Sequence, residues 1–435
     1  MQRIRIIGLI AMLALVAAAC GSDDGGETTP TGSTEGGTTA ATGATATEGP
    51  LAEFGESTDA DPALVDKALG PVGTVPDIVL ASIARADQDL DQATIDKALE
   101  CWSSPECETG SGGELVMGYA DGGGHLNVWR GVTHMEAILQ ALTYPEIGTI
   151  VSTEALWDQD PAVPAGDIQF LVQRGADFII GYPDAGVAIA DAILEAEAAG
   201  VPYIPFSAGY VGLPGQEGAL IPGEDYTAVV GEDLCALGES FADVLNTGID
   251  SGTIGVLGGT PGNALSLGWQ QCLTPALNDG VELVQPAADT YWLNDVALEV
   301  VLGMLSTDPE IKGYAYEYAD GLNTALQAYD ELGIPLRDLT VALRTDEQTL
   351  FCDWVDRANP NYHIFYSAGG NFQSRTAVTA AMMKLNGAEV PGEIVVPHVM
   401  REVTEADCNP DRVNPYVSGT SLVPDAVLAQ MFPAE

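Results

Sequence analysis

The sequence predicts an α/β protein made of two lobes, each a doubly wound parallel sheet. Three observations lead there. From Glu114 onward, short apolar runs alternate with amphipathic runs that close on glycine, the rhythm of parallel strands joined by helical crossovers. A Gly- and Pro-rich stretch at 211–231, VGLPGQEGALIPGEDYTAVVG, interrupts that rhythm, as where a chain leaves one lobe for another. Finally, 435 residues are too many for one ordinary core, and the 46% that are apolar can fill two.

The clearest repeat is Asp167 to Tyr210. DIQFLVQRG reads as a weakly periodic helix ending at Gly175, and ADFIIGY as a buried strand. Pro183-Asp184-Ala185-Gly186 then turns into the helix VAIADAILEAEAAG, closed by Gly200, and VPYIPFSAGY is the next strand. Two parallel strands joined this way form a right-handed crossover, and open sheets collect ligands at the carboxyl ends of their strands. Those ends carry Tyr182, Asp184 and Ser207.

Upstream, ELVMGYA is a strand that runs through Asp121, three glycines and His125 into the helix LNVWRGVTHMEAILQAL. The contiguous glycines do not form a dinucleotide fingerprint. Downstream the alternation continues: helix EDLCALGESFADVLN, strand TIGVLGG, the turn Thr260-Pro261-Gly262-Asn263 and a helix carrying Trp269. VELVQPAA ends in a loop with Tyr291 and Trp292, followed by VALEVVLGMLSTDP. IKGYAYEYADG, LTVALRTD, YHIFYSAGG and EIVVPHVMREV supply further strands, with helices between them.

Charge excludes several functions. Fifteen Lys and Arg against 63 Asp and Glu leave a formal net charge of −48, which repels nucleic acid and anionic headgroups. No zinc helix, Walker loop or calcium loop occurs, and no cofactor is expected. Ser207 in PFSAG does not fit a nucleophile elbow, so binding is expected rather than catalysis.

Residues 1–20, MQRIRIIGLIAMLALVAAAC, have the grammar of an export signal, and Cys20 after three alanines resembles a bacterial lipobox. Such a cysteine is lipidated and anchors the chain to the membrane. Residues 21–56 are expected to be a disordered tether and residues 57–112 a helical appendage that packs on a lobe or acts as a spacer. Beyond Cys20 there are six cysteines, an even number that suggests three disulfides in an exported chain. Order along the chain favours Cys101–Cys107, Cys235–Cys272 and Cys352–Cys408.

The order of these phrases resembles the type I periplasmic sugar-binding proteins. GADFIIGYPDAGVAIADAILEAEAAGVPYIPFSA, GTIGVLGGTPGNALSLGWQQCL and LSTDPEIKGYAYEYADGLNTALQAYDELG carry the likeness, which spans roughly residues 114 to 402. It implies a first lobe of 114–211 plus 371–398, a second of 212–370 plus 399–435, and a hinge crossed three times. It further implies an extracytoplasmic, lipid-anchored monomer that closes around a small, neutral, sugar-like ligand and presents it to an ABC permease. A sensor reporting ligand to a membrane receptor would use the same lobes; an extracytoplasmic enzyme would need a catalytic constellation that the sequence lacks.

The resemblance brings Asp121, His125 and Trp129 to the ligand from the first strand's end, with Tyr182 and Asp184 beside Gly181. Polyol recognition needs planar polar groups for hydroxyls and aromatic faces for the ring, which Asn263, Trp292, Asp320 and Asn371 extend. Ser207 and Asp346 complete the expected set, while Trp269, among leucines, reads as core. Where many relatives carry Asp-Arg or a second-lobe arginine, this chain has Ser207-Ala208 and Leu267. No forked arginine grip on the ligand is therefore expected.

Overall fold

The computed structural model describes residues 51–121, 127–153, 160–411, 414 and 416–433. Cys20, the expected signal and His125 lie outside the described residues. No helix among the described residues is long and apolar enough to cross a membrane.

Leu51 and Phe54, expected within the tether, pack against the first-lobe core. Glu56 is buried and accepts hydrogen bonds from Arg85 Nε at 2.7 Å and Nη2 at 2.9 Å. Three helices follow: α1 (Pro62–Leu69), α2 (Asp77–Ala86) and α3 (Gln92–Trp102). Asp61 and Asp91 cap α1 and α3 through their carboxylates. The Cys101–Cys107 disulfide leads into β1 (Glu106–Glu108).

The first lobe is then laid down as β2 (Leu115–Asp121), α4 (Val128–Ala141), β3 (Ile147–Thr153), α5 (Ala162–Gln173), β4 (Phe178–Tyr182), α6 (Ala190–Ala198) and β5 (Tyr203–Pro205). The strand order is β1-β3-β2-β4-β5, parallel throughout except for β1 at the edge. β4 is buried along its whole length, as a strand covered on both faces must be. After β5 comes β6 (Val229–Gly231), tied to the segment behind β5 by Ala208 N donating to Val230 O at 3.0 Å.

The second lobe runs through α7 (Leu234–Gly248), β7 (Gly252–Gly258), α8 (Ala264–Ala276), β8 (Val281–Leu283), β9 (Ala288–Asp289) and α9 (Asn294–Thr307). It continues with β10 (Gly313–Tyr316), α10 (Ala319–Ala325), α11 (Gln327–Leu332), β11 (Leu339–Leu343), α12 (Gln348–Arg357) and β12 (Tyr362–Tyr366). The chain returns to the first lobe with α13 (Gln373–Leu385) and β13 (Glu393–Val395), which pairs parallel with β6. β14 (Arg401–Glu402) then adds an antiparallel edge to the second sheet, ordered β14-β12-β11-β10-β7-β8, with β9 also pairing β7. Disulfides Cys235–Cys272 and Cys352–Cys408 staple α7 to α8 and α12 to the segment after β14. Closing loops with sequence separations of 37 and 56 residues, each is worth about 4 kcal/mol by chain entropy.

Packing moves two of the expected boundaries. Val211, Tyr226 and Val229 bury against Ile179 and Tyr203, so the Gly/Pro stretch folds onto the first lobe and the crossing falls after Gly231, not at 212. The carboxyl-terminal residues do not stay with the second lobe either. Val417, Leu422 and Val423, with Val427 and Leu428 of α14 (Asp425–Met431), share a core with Val79 and Ile83 of α2. Beyond the three expected crossings, the chain thus passes back to the first lobe before Val417.

The appendage and this tail form a third layer. In an ordinary doubly wound lobe the crossover helices keep one face in water; here every residue from Arg130 to Ala141 in α4 is buried, as is every one from Gln373 to Met383 in α13. Glu136 pins the layer. Fully buried on α4, it accepts from Arg375 Nε of α13, from Ser421 Oγ at 2.8 Å, and from the amides of Leu422 at 2.6 Å and Val423 at 3.1 Å.

Removing one partner of a buried pair leaves the other charge uncompensated. Glu136→Ala is therefore expected to cost about 3–5 kcal/mol in urea unfolding and to expose the tail to proteases. A loss below about 1 kcal/mol would show that Arg375 and the tail amides find other partners.

Candidate functional site

The carboxyl ends of β2, β4 and β5 face those of β7, β10 and β11 across a groove, and between them lies a narrow cavity of about 40 Å³. Asn127, Trp129, Arg130, Tyr182 and Ser207 line it from the first lobe. Leu265, Trp292, Glu317, Tyr318, Arg344 and Thr345 line it from the second.

The first wall is organised by Arg130. Asn127 caps α4 by accepting from the Arg130 amide at 2.9 Å, which sets the helix's first turn at the strand ends. The Arg130 guanidinium then pairs with Asp121 at the end of β2 and with Asp184 beyond β4, at 2.7 Å, and lies over the Tyr182 ring. Burial alone would lower this guanidinium's pKa, but the two carboxylates outweigh it and hold the pKa above its ordinary value. Asp184 moves upward because burial exceeds the help it receives from Arg130, with Asp121 adding repulsion.

The second wall is organised by Glu317, just past β10. It accepts from Ser266 Oγ and Trp269 Nε1 of α8, and from Trp292 Nε1 at 2.9 Å. Burial pushes its carboxyl up, against those hydrogen bonds and Arg344. Tyr291 and Trp292 both hold left-handed backbone, at φ 55° and 53°, a conformation that costs a side-chain-bearing residue. The turn is fixed by Tyr291 N donating to Gly259 O at 3.0 Å and by the indole lying on Gly259, where a Cβ would meet it at 2.0 Å.

A few interactions cross the groove. Tyr182 Oη donates to Asn263 Oδ1 at 3.3 Å, and the Tyr182 and Trp292 rings meet edge-on with centroids 5.9 Å apart. Arg344, at the end of β11, donates through Nη2 to Ser207 Oγ at 2.9 Å and to Glu232, just past β6, at 3.0 Å.

Of the residues expected from the sequence, Trp129, Tyr182, Ser207 and Trp292 line the cavity. Asp121 and Asp184 serve Arg130, and no side chain caps the turn after Asp184. Asn263 caps α8 while accepting from Tyr182. Asp320 accepts from Asn294 Nδ2 at 2.8 Å and Thr349 Oγ1 at 3.2 Å, beside a separate surface depression. Asn371 ties the approach to α13 onto Trp129 O at 2.9 Å and Thr133 Oγ1 at 2.8 Å. Asp346 is not in the cavity wall: both its oxygens hold the tail, through Ser418 Oγ, Thr420 Oγ1 and Thr420 N. Trp269 is buried core, though its indole N–H is used by Glu317.

Sequence reasoning missed Arg130, Arg344, Glu317, Asn127 and Glu232. Two arginines do stand in the cavity wall, but they come from α4 and the end of β11 and not from the positions of Ala208 and Leu267. A usable signal existed, because only 15 basic residues are present and Arg344 ends the apolar run LTVAL.

Glu347, next to the cavity, shows how burial governs titration here. Its carboxyl is pushed up to about 8, chiefly by burial and also by Asp346 and Asp320, against a hydrogen bond from Thr345. A folded pKa above the free value of 4.5 means its contribution to stability is complete below that pH and is lost as pH rises through about 8. Glu347→Gln, which cannot ionise, should thus gain stability over the parent as pH climbs. Calorimetry is expected to show a more favourable difference in Tm at about pH 9 than at about pH 5; equal differences would place the carboxyl in water.

Residues 158–389, more than half of the chain, match the model of the periplasmic binding protein domain family. No curated protein matches the sequence. Among solved structures, the chain is similar to a periplasmic solute-binding protein of an ABC transporter from Actinobacillus succinogenes with bound D-allose, at 17% identity and TM-score 0.56, over 66% of this chain and 97% of that one. It is also similar to a solute-binding protein from Bacillus halodurans with bound myo-inositol, at 18% identity and TM-score 0.55, over 67% and 96%. The fructose-binding periplasmic domain of a hybrid two-component system matches at 19% identity and TM-score 0.57, over 67% and 92%. These likenesses show a shared fold.

Proposed function

The chain belongs to the periplasmic binding protein domain family, and from that premise we propose that it is an extracytoplasmic solute-binding protein that captures a small, neutral, sugar-like ligand between its lobes for an ABC importer. One observation carries the reading: the aromatic faces of Trp129, Tyr182, Trp292 and Tyr318 and hydrogen-bonding groups from both sheets converge on one cavity at the strand ends. Aromatic faces suit the apolar side of a sugar ring and planar polar groups suit its hydroxyls. Binding proceeds without covalent chemistry; ligand favours the closed lobes through its differential affinity. The ligands in the allose and inositol complexes support this class. A sensor role is the second reading, favoured by the likeness to the fructose-binding domain of a two-component system.

Thermal-shift screening of the full mature protein against pentoses, hexoses, inositols, nucleosides and amino acids tests the ligand class. A sugar or cyclitol at about 100 times its Kd should add about 2.7 kcal/mol of stability, read as a clear rise in Tm. A response confined to amino acids or nucleosides would end the sugar reading.

The lipid anchor is tested separately. Cells grown with labelled palmitate should yield labelled protein, lost in Cys20→Ala and on blocking lipoprotein processing. Label that persists in Cys20→Ala would place the anchor elsewhere.

A further inference from the structure

Two hydrogen-bond donors in the cavity wall have no protein partner. They are Trp129 Nε1, carried by the first lobe on α4, and Arg344 Nε, carried by the second at the end of β11. Both atoms are buried, and Arg344 as a whole is 2% exposed. Leaving such donors unmade is costly, so their placement on opposite walls of one cavity points to an acceptor between them.

Arg344 is the charged group of the wall that already spans the groove. Its Nη2 reaches Ser207 Oγ of the first lobe at 2.9 Å and Glu232, at the crossing just past β6, at 3.0 Å, while its backbone belongs to the second sheet. An acceptor shared by Arg344 Nε and the first wall would add a second bridge beside the Ser207 bond. Separating the lobes breaks both.

The surrounding charge limits what that acceptor can be. Arg130 is matched by Asp121 and Asp184, and Arg344 by Glu232, while Glu317 faces the same cavity with only neutral donors on its oxygens. Four buried carboxylates thus stand against two guanidiniums. An anionic ligand would enter a site where buried carboxyl groups outnumber guanidiniums, inside a chain of net charge −48. Neutral hydroxyl or ring oxygens accept from both donors without that penalty.

We propose that Arg344 is the specificity-determining residue that couples ligand to closure: a neutral ligand oxygen accepts from Arg344 Nε, a second accepts from Trp129 Nε1 on the opposite wall, and acidic sugars are rejected. The proposal rests on the sugar-binding reading above and adds to it which groups read the ligand, and that they discriminate by charge.

The test uses the full mature chain and a set of matched pairs: glucose with glucuronate, galactose with galacturonate, and allose and myo-inositol with their phosphates. Affinity is read by calorimetry and closure by small-angle scattering with and without ligand. The parent protein is expected to bind a neutral member at least a hundredfold more tightly than its acidic counterpart and to contract on binding. Trp129→Phe should weaken binding about tenfold, the loss of one hydrogen bond, and still contract. Arg344→Met should lose a hundredfold or more and stay extended. Arg344→Lys keeps a charge for Glu232 but has no Nε donor, so it separates loss of the ligand contact from misfolding, and tenfold weaker binding is expected of it. Unchanged affinity and contraction in Arg344→Lys and Arg344→Met would overturn this proposal alone. Preference for the acidic partners would do so as well, and a parent protein that binds none of the set would overturn both it and the sugar-binding reading.

Discussion

A guanidinium taken out of water must keep its carboxylates, and that requirement shapes the groove. Arg130 bridges the end of β2 to the turn after β4 through Asp121 and Asp184, so two neighbouring strand ends and the start of α4 are fixed as one unit. On the other side, Glu317 gathers Ser266 and Trp269 of α8 and Trp292 of the loop before α9, two separate segments of the second lobe. Each network lies within one lobe. Each wall is therefore organised before the lobes meet, the condition under which binding wastes little free energy on ordering.

The layer outside the first lobe changes the mechanics. α4 and α13 are enclosed by α2, α3 and the carboxyl-terminal tail, so the face that an ordinary lobe presents to solvent is interior here. The tail is held at two places only a few residues apart. Asp346 of the second lobe binds Ser418 and Thr420, and Glu136 of the first binds Ser421, Leu422 and Val423. A connection anchored so closely on both sides of the hinge allows rotation about itself but little translation. The solved structures discussed above are covered over 92% or more of their length, whereas they cover about two thirds of this chain.

Much of the fold was legible in the sequence because its strongest signals are local. Apolar runs such as ADFIIGY and LTVAL declare buried parallel strands, and Gly175, Gly200 and Gly333 mark where helices stop. The lobe boundary was not legible, because the glycines and prolines of 211–231 resemble a linker, while what decides their place is the burial of Tyr226 and Val229 against residues far away in sequence. The tail failed for the same reason: nothing local to Ser421 announces a carboxylate on α4. Within the site, aromatic residues at strand ends were readable from position. The arginines were not, since their role depends on carboxylates contributed by other strands, and Asp346 looked like a ligand group because its actual partners lie more than seventy residues downstream.

What links the two walls is slight by comparison. Tyr182 to Asn263, the edge-on contact of Tyr182 with Trp292, and the reach of Arg344 to Ser207 are the principal polar and aromatic contacts across the groove among the described residues. Opening would trade each of these for water at small net cost, because a hydrogen bond remade with solvent contributes only about 0.5–1.5 kcal/mol, and about 1.5–3 kcal/mol where a guanidinium donates. The networks inside each lobe would survive intact. A molecule bound between the walls thus has only a modest gap to bias, and its own contacts to both lobes suffice to decide which state is populated. Stable walls joined by weak contacts are what a binding protein needs if it is to release its ligand as well as capture it.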